Sequence, residues 1–182
     1  MKGPILKGPR VILRPIKVSD APNYVRWFSD KEVRIHFNYN VWDVSEKEEK
    51  KFIRKSLKNK NQILFAIIYN GKHIGGSGLD FDWKSKRASW GIIIGEKDEW
   101  GKGIAGEVIK LLLEYGFKKW KLNRIDLEVE MLNKRALKAY KKAGFKLEGV
   151  IRQGQFNPQL KSFIDKGIMG ILKEEWLKKY KK

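Results

Sequence analysis

Three consecutive isoleucines, Ile92, Ile93 and Ile94, are followed by a short acidic stretch and then by Trp100, Gly101, Lys102, Gly103, Ile104 and Ala105. These residues open directly into an amphipathic run with Val108, Ile109, Leu111, Leu112, Leu113 and Phe117 on its inward face. A short apolar run ending in glycines reads as a strand, and the spacing after it reads as a helix. The chain therefore passes from sheet to helix through a glycine turn. Glycines let such a turn aim its amides at one point, and the helix start adds positive partial charge there. That arrangement cradles phosphate oxygens. It is not a P-loop, because no Lys followed by Ser or Thr closes a spaced glycine loop, and it lacks the three-glycine dinucleotide fingerprint. Taken alone, the turn also fits an ordinary strand-to-helix joint.

The rest of the chain supplies a mixed α/β pattern. Arg10 to Ile16 alternates as a half-buried strand, and Ser19 or Asp20 can cap a helix carrying Tyr24, Val25, Trp27 and Phe28. Val33 to Trp42 is aromatic and irregular; Ser45 with Glu48 then forms a capping box opening a charged helix through about Leu57. Ile63 to Tyr69 and His73 to Phe81 read as a hairpin turning at Asn70 and Gly71, and Ala88 to Ile94 continues the sheet. Arg124 to Met131 alternates strictly, with Ile125, Leu127, Val129 and Met131 on one side and Asp126, Glu128 and Glu130 on the other. Asn133 caps a short helix carrying Ala136, Leu137 and Tyr140, stopped by Gly144. Phe145 to Arg152 and Phe163 to Leu172 form a closing pair of strands, and a basic tail follows from about residue 173. With no internal repeat and no linker, the 182 residues are expected to form one domain.

Composition removes several chemistries. The chain has no cysteine, which excludes thiol catalysis, disulfides and Cys-ligated zinc, and its two histidines, His36 and His73, argue against a multi-histidine metal centre. No apolar run approaches the roughly 18 residues of a membrane helix, and Met1 is followed by Lys2, Gly3 and Pro4. A soluble cytoplasmic protein without membrane contact is expected. The 40 Lys and Arg against 21 Asp and Glu give +19. Lysine is spread along the chain, which fits compositional bias better than a dedicated acidic partner.

A second segment gives the glycine turn its meaning: Asn133, Lys134, Arg135 and Ala136, then Tyr140, Gly144 and Phe145, with Glu148 and Gly149 after them. Here the sequence resembles the Gcn5-related N-acetyltransferase superfamily, in its branch of ribosomal-protein N-terminal and spermidine acetyltransferases. The resemblance runs nearly end to end. Arg10 to Pro15 is similar to the opening strand, Arg87 to Ile94 with Trp100 to Phe117 to the acetyl-CoA motif, and Asn133 to Gly149 to the second cofactor motif. Asp165 falls in the closing hairpin, where this branch often carries an acidic residue. One position departs: Trp100 stands where the superfamily pattern has Gln or Arg, while Gly103 and Ala105 match.

The resemblance implies a central twisted mixed sheet flanked by helices, acetyl-CoA as co-substrate and no metal. The amides of Trp100, Gly101, Lys102, Gly103, Ile104 and Ala105 would hold the pyrophosphate, with Lys102 adding charge. The pantetheine arm would run along Ile92, Ile93 and Ile94, Asn133 would be among the residues that bind the cofactor, and an amide of Ile93 or Ile94 would polarise the thioester. Tyr140 matches the family's proton donor to the leaving sulfur, although its spacing from Ala136 and Leu137 also suits simple packing. Lacking a nucleophilic cysteine, the chain is expected to transfer acetyl directly within a ternary complex.

No base stands out. Glu128 and Glu130 share a strand face that reads as solvated, and Glu128 is carried as an acceptor-side candidate. By resemblance the irregular stretch bearing His36 and Phe37 contributes to the acceptor site; Trp27 and Trp42 either line it or belong to the core, and His73 reads as an exposed strand edge. Net charge ranks a protein N-terminal α-amine, such as that of a ribosomal protein, narrowly above a polyamine, which +19 should repel unless acidic residues are locally concentrated. An amino sugar is a third acceptor. Weak docking on rRNA through the basic surface, a homodimer, and a non-catalytic nucleic-acid module complete the expectations.

Overall fold

A computed structural model describes residues 1–35 and 44–180. Its strands are β1 (Leu6–Lys7), β2 (Val11–Pro15), β3 (Gln62–Tyr69), β4 (Lys72–Asp82), β5 (Arg87–Ile94), β6 (Arg124–Glu130), β7 (Lys146–Asn157) and β8 (Ser162–Leu172). The helices are α1 (Ala21–Ser29), α2 (Lys31–Arg34), α3 (Glu46–Lys58), α4 (Ile104–Glu114), α5 (Lys134–Ala143) and α6 (Lys173–Tyr180). The strands form one eight-stranded sheet in the order β1-β2-β3-β4-β5-β6-β8-β7. Every neighbouring pair is antiparallel except β5 and β6.

Local chemistry places several element ends as anticipated, but Asp20, at the N-cap of α1, makes no side-chain cap, because its carboxylate is taken by Arg14 and the Lys17 N–H. Asn70 and Gly71 both take positive φ, 48° and 75°, which a two-residue hairpin needs to match the twist of its strands. The Ser45 hydroxyl accepts from the Glu48 N–H at 3.3 Å while the Glu48 carboxylate accepts from the Ser45 N–H at 2.9 Å, a reciprocal cap that starts α3. Gly144, at φ 105°, ends α5.

Two apolar clusters occupy the two faces of the sheet. The larger joins Val108, Ile109 and Leu112 of α4, Leu137 of α5 and Trp176 of α6 to alternate residues of the strands. The smaller holds Tyr24, Trp27 and Phe28 of α1, Val33 of α2 and Ile53 of α3 against Ile16 and Ile93. Among the described residues no helix is long and apolar enough to cross a membrane.

Three expectations are corrected. The segment read as a basic tail is the helix α6, anchored by Trp176, which is 3% exposed and packs on Phe117 at 5.4 Å between ring centroids. His73 is not an exposed edge: β2 and β3 extend the sheet beyond β4, and its ring lies against Trp27, with Nδ1 2.9 Å from Asn23 Nδ2 and Nε2 2.9 Å from the Gly75 carbonyl. The acidic face of β6 is not uniformly solvated either. Asp126 and Glu130 are buried, Asp126 among Arg87, Ser89 and Arg124, and Glu130 beside Gln155 Nε2 at 3.3 Å; Glu128 alone is exposed. Alternation identifies which residues share a face but not what a distant strand lays over it.

Candidate active site

The parallel pair β5–β6 is short. Arg87, Ala88 and Ser89 pair with Arg124, Ile125 and Asp126, and beyond Ser89 the two strands share no rungs. On its other edge β5 stays paired with β4 from Arg87 through Ile94. The Gly91 carbonyl accepts from the Ser77 hydroxyl at 2.6 Å and the Gly95 N–H donates to Ile74, so both face β4. Because peptide groups alternate in direction along a strand, those of Trp90, Ile92 and Ile94 face β6 instead. A strand pair that parts in this way leaves main-chain donors and acceptors without partners, a situation folded chains resolve with a ligand or water. Ile93, by the same alternation, directs its peptide toward β4 and its side chain into the smaller cluster.

The glycine turn stands at the end of this gap. Gly101 and Gly103 have φ of 80° and 79°, and a Cβ built on Gly101 meets nothing within 4 Å. Gly103 is the N-cap of α4 and offers no side chain, so the first amides of the helix are uncapped. Ile104 is buried beneath them, and Ala105 follows in the first turn. These features fit a diphosphate: open space, uncapped amides and the positive end of an 11-residue helix.

Charge around the turn is unevenly committed. Lys102 Nζ donates to Glu99 at 2.8 Å, and Arg10 pairs with Glu107 while also donating to the Lys102 carbonyl at 3.2 Å. Arg135, from the first turn of α5, lies with its guanidinium 4.1 Å from the centroid of the Trp100 ring and has no carboxylate partner among the described residues. Trp100 Nε1 in turn donates to the Ile94 carbonyl at 2.8 Å. The residue that departs from the family pattern therefore braces the turn against β5 and supports a free cation. Nothing in the sequence announced that contact, since positions 100 and 135 belong to different motifs.

Asn133 caps α5 by accepting from the Ala136 N–H at 3.0 Å. About two turns beyond the cap, the Tyr140 ring meets Trp90 edge-on at 5.4 Å between centroids and makes no hydrogen bond through its hydroxyl among the described residues. Burial raises the Tyr140 phenol to about 12, so its proton is held across the neutral range.

The acceptor-side candidates are treated differently by the fold. Trp27 is 1% exposed, its indole N–H held by Glu96 at 2.8 Å and its ring close against Gly95 and His73, so it offers almost no surface to a substrate. Glu128 is exposed and paired with Lys166. His36, Phe37 and Trp42 lie outside the described residues. The Asn157 amide of β7 donates to the Ile35 carbonyl just past α2 at 2.9 Å, tying the hairpin to the helical face. An open groove of about 730 Å³, lined by Arg152, Gln153 and Asp165, adjoins the end of β6, where the Met131 N–H donates to the Asp165 carbonyl. Glu49 of α3 is buried as well, and burial pushes its carboxyl up to about 7.

Comparisons with known proteins converge. The model of the acetyltransferase (GNAT) domain family matches residues 10–146. An uncharacterized N-acetyltransferase, p20, of Bacillus licheniformis is 31% identical over 172 residues, covering 92% of this chain and 95% of its own. The spermidine N(1)-acetyltransferase of Escherichia coli K12 is 30% identical over 129 residues, covering 70% of this chain and 67% of its own. Among solved structures, spermidine N-acetyltransferase from Vibrio cholerae, in complex with CoA and spermine, superposes with a TM-score of 0.85 at 23% identity, over 93% of this chain and 99% of that one.

Proposed function

The chain belongs to the GNAT acetyltransferase family, and from that premise we propose that it acetylates a primary alkylamine of the polyamine class, with Tyr140 serving the departing sulfur. It is an N-acetyltransferase that uses acetyl-CoA as co-substrate. The observation that carries the proposal is the unpaired inner edge of β5 beside Tyr140. The co-substrate supplies an activated acetyl thioester. The uncapped amides of Gly103 to Ala105 and the Arg135 guanidinium suit its phosphates, and the peptide groups of Ile92 and Ile94 suit the amide-like arm. The Ile94 N–H, whose own carbonyl is taken by Trp100, is the donor best disposed to polarise a carbonyl in the gap. Tyr140, with its proton firmly held, gives a hydrogen bond to the sulfur and passes the proton on as it receives another.

The polyamine class gains support from two sides. The named relatives include a curated and a solved spermidine acetyltransferase, and in a chain of net charge +19 the end of β6 carries buried Glu130 and, at the open groove, Asp165, beside Arg152 and the Glu128–Lys166 pair. The same +19 favours a second reading, a protein N-terminus presented by an RNA-rich assembly such as the ribosome. Released thiol followed over a panel of polyamines, peptides and amino sugars separates the two. Turnover on spermidine or a shorter diamine is expected. Turnover confined to peptide N-termini would overturn the acceptor class and leave acetyl transfer standing.

A further inference from the structure

We propose that Glu49 is the catalytic base that takes the proton from the acceptor's ammonium. The proposal rests on the acetyl-transfer reading and supplies a group for which the sequence offered no candidate.

Buried carboxylates elsewhere in this fold are fully engaged. Asp20, 5% exposed, accepts from Arg14 at 2.8 and 2.6 Å and from the Lys17 N–H at 2.8 Å. Asp126, 7% exposed, is held by Arg87, Ser89 and Arg124. Glu49 is as buried, at 5%, yet its carboxylate has no hydrogen-bond or ion-pair partner among the described residues. This occurs in a chain with 40 Lys and Arg against 21 Asp and Glu, where a partner is easily found; the neighbouring Lys50 pairs outward with Glu46. A carboxylate left without a protein partner on so buried a residue is costly. Its retention points to a cation that arrives from outside.

The position suits that cation. Glu49 shares its side of the sheet with Tyr24 and acts on the Tyr24 phenol electrostatically. The Tyr24 hydroxyl stands against Gly76, where an added Cβ would come within 2.1 Å of it. Gly76 pairs with Ile93, between the two residues whose peptides line the gap. Glu49 and Tyr140 thus belong to opposite faces of the sheet, one on the α1–α3 side and the other on the α4–α5 side. The other charged and titratable groups of that neighbourhood are committed. Arg14 and Asp20 neutralise each other, His73 is bonded through both ring nitrogens, and burial keeps Tyr24 protonated.

The proton count closes. The ammonium R–NH3⁺ gives one proton to the Glu49 carboxylate, and the freed nitrogen forms the C–N bond as the C–S bond breaks. The sulfur takes the Tyr140 proton, and Tyr140 regains one from the product nitrogen, leaving R–NH–COCH3, a thiol and a protonated Glu49. A carboxyl that titrates near neutrality is matched to this exchange.

The test uses the full chain carrying Glu49→Gln, with Glu49→Asp beside it. For Glu49→Gln, kcat is expected to fall about 100-fold at neutral pH, with CoA affinity by calorimetry and thermal stability retained. The deficit should shrink as pH rises toward the amine's own pKa, and Glu49→Asp should recover part of the rate. In the free protein, infrared difference spectra should show a carboxylic acid titrating near neutrality that is absent from Glu49→Gln. Unchanged kcat in Glu49→Gln, or an equal deficit at every pH, overturns the proposal. Wild-type protein that binds no CoA overturns the underlying reading and the proposal with it, and calorimetry identifies that outcome before any variant is made.

Discussion

Strand β6 treats its two neighbours differently. Toward β8 it pairs from Arg124 through Glu130; toward β5 it pairs only from Arg124 to Asp126. The first edge is ordinary structure, with every rung closed by protein and apolar residues such as Ile125 and Ile171 buried face to face. The second is an edge held open in the middle of a sheet, and it is where we propose that the co-substrate lies. The difference teaches that specificity for an extended, amide-bearing ligand needs few special side chains when a sheet can lend it main-chain partners.

Substitutions can break this contrast or sharpen it. The largest effect is expected at the open edge: Tyr140→Phe should lower kcat by roughly 10²–10⁴-fold with CoA affinity nearly unchanged, read by steady-state thiol release and calorimetry. At the closed edge, Ile171→Ala removes a side chain with no exposed surface. It should cost about 2–5 kcal/mol in urea unfolding, with CoA affinity retained in the folded fraction. Arg135→Ala should weaken CoA binding by roughly 10- to 100-fold, less at high salt, since a charge-assisted contact to phosphate is worth about 1.5–3 kcal/mol. Amide exchange at Ile92 and Ile94 should slow roughly tenfold with CoA at about ten times its Kd, while amides of β6 that face β8 barely change. Smallest is Glu128→Gln, which breaks an exposed pair with Lys166 and should alter stability by less than about 1 kcal/mol.

The elements proposed to hold the cofactor were largely legible because each is contiguous in the chain. The glycine turn, the Asn133 cap, the Gly144 stop and Tyr140 sit at spacings that local backbone geometry requires, and each is found on the expected element. The acceptor side was not legible in this way. Residue type leaves Trp27 open between substrate site and core and offers Glu128 as a candidate; the fold buries Trp27 in the core and pairs Glu128 with Lys166 at the surface. Glu49 is not legible in the sequence because, in a run of Glu and Lys, nothing local distinguishes the carboxylate that turns inward. The same holds for His73, whose environment comes from Asn23, Trp27 and Asp20, about 50 residues away.

From the sequence alone came most of the elements, many of their caps and turns, the family and the glycine joint between β5 and α4, because each depends on interactions spanning a few residues. Tertiary structure alone decided where β5 and β6 part, which carboxylates are buried and paired, that Trp176 makes a docked helix of the basic end, and that Arg135 reaches Trp100. Those outcomes depend on which remote surfaces meet, and burial and electrostatics act on surfaces in space, whatever their separation along the chain.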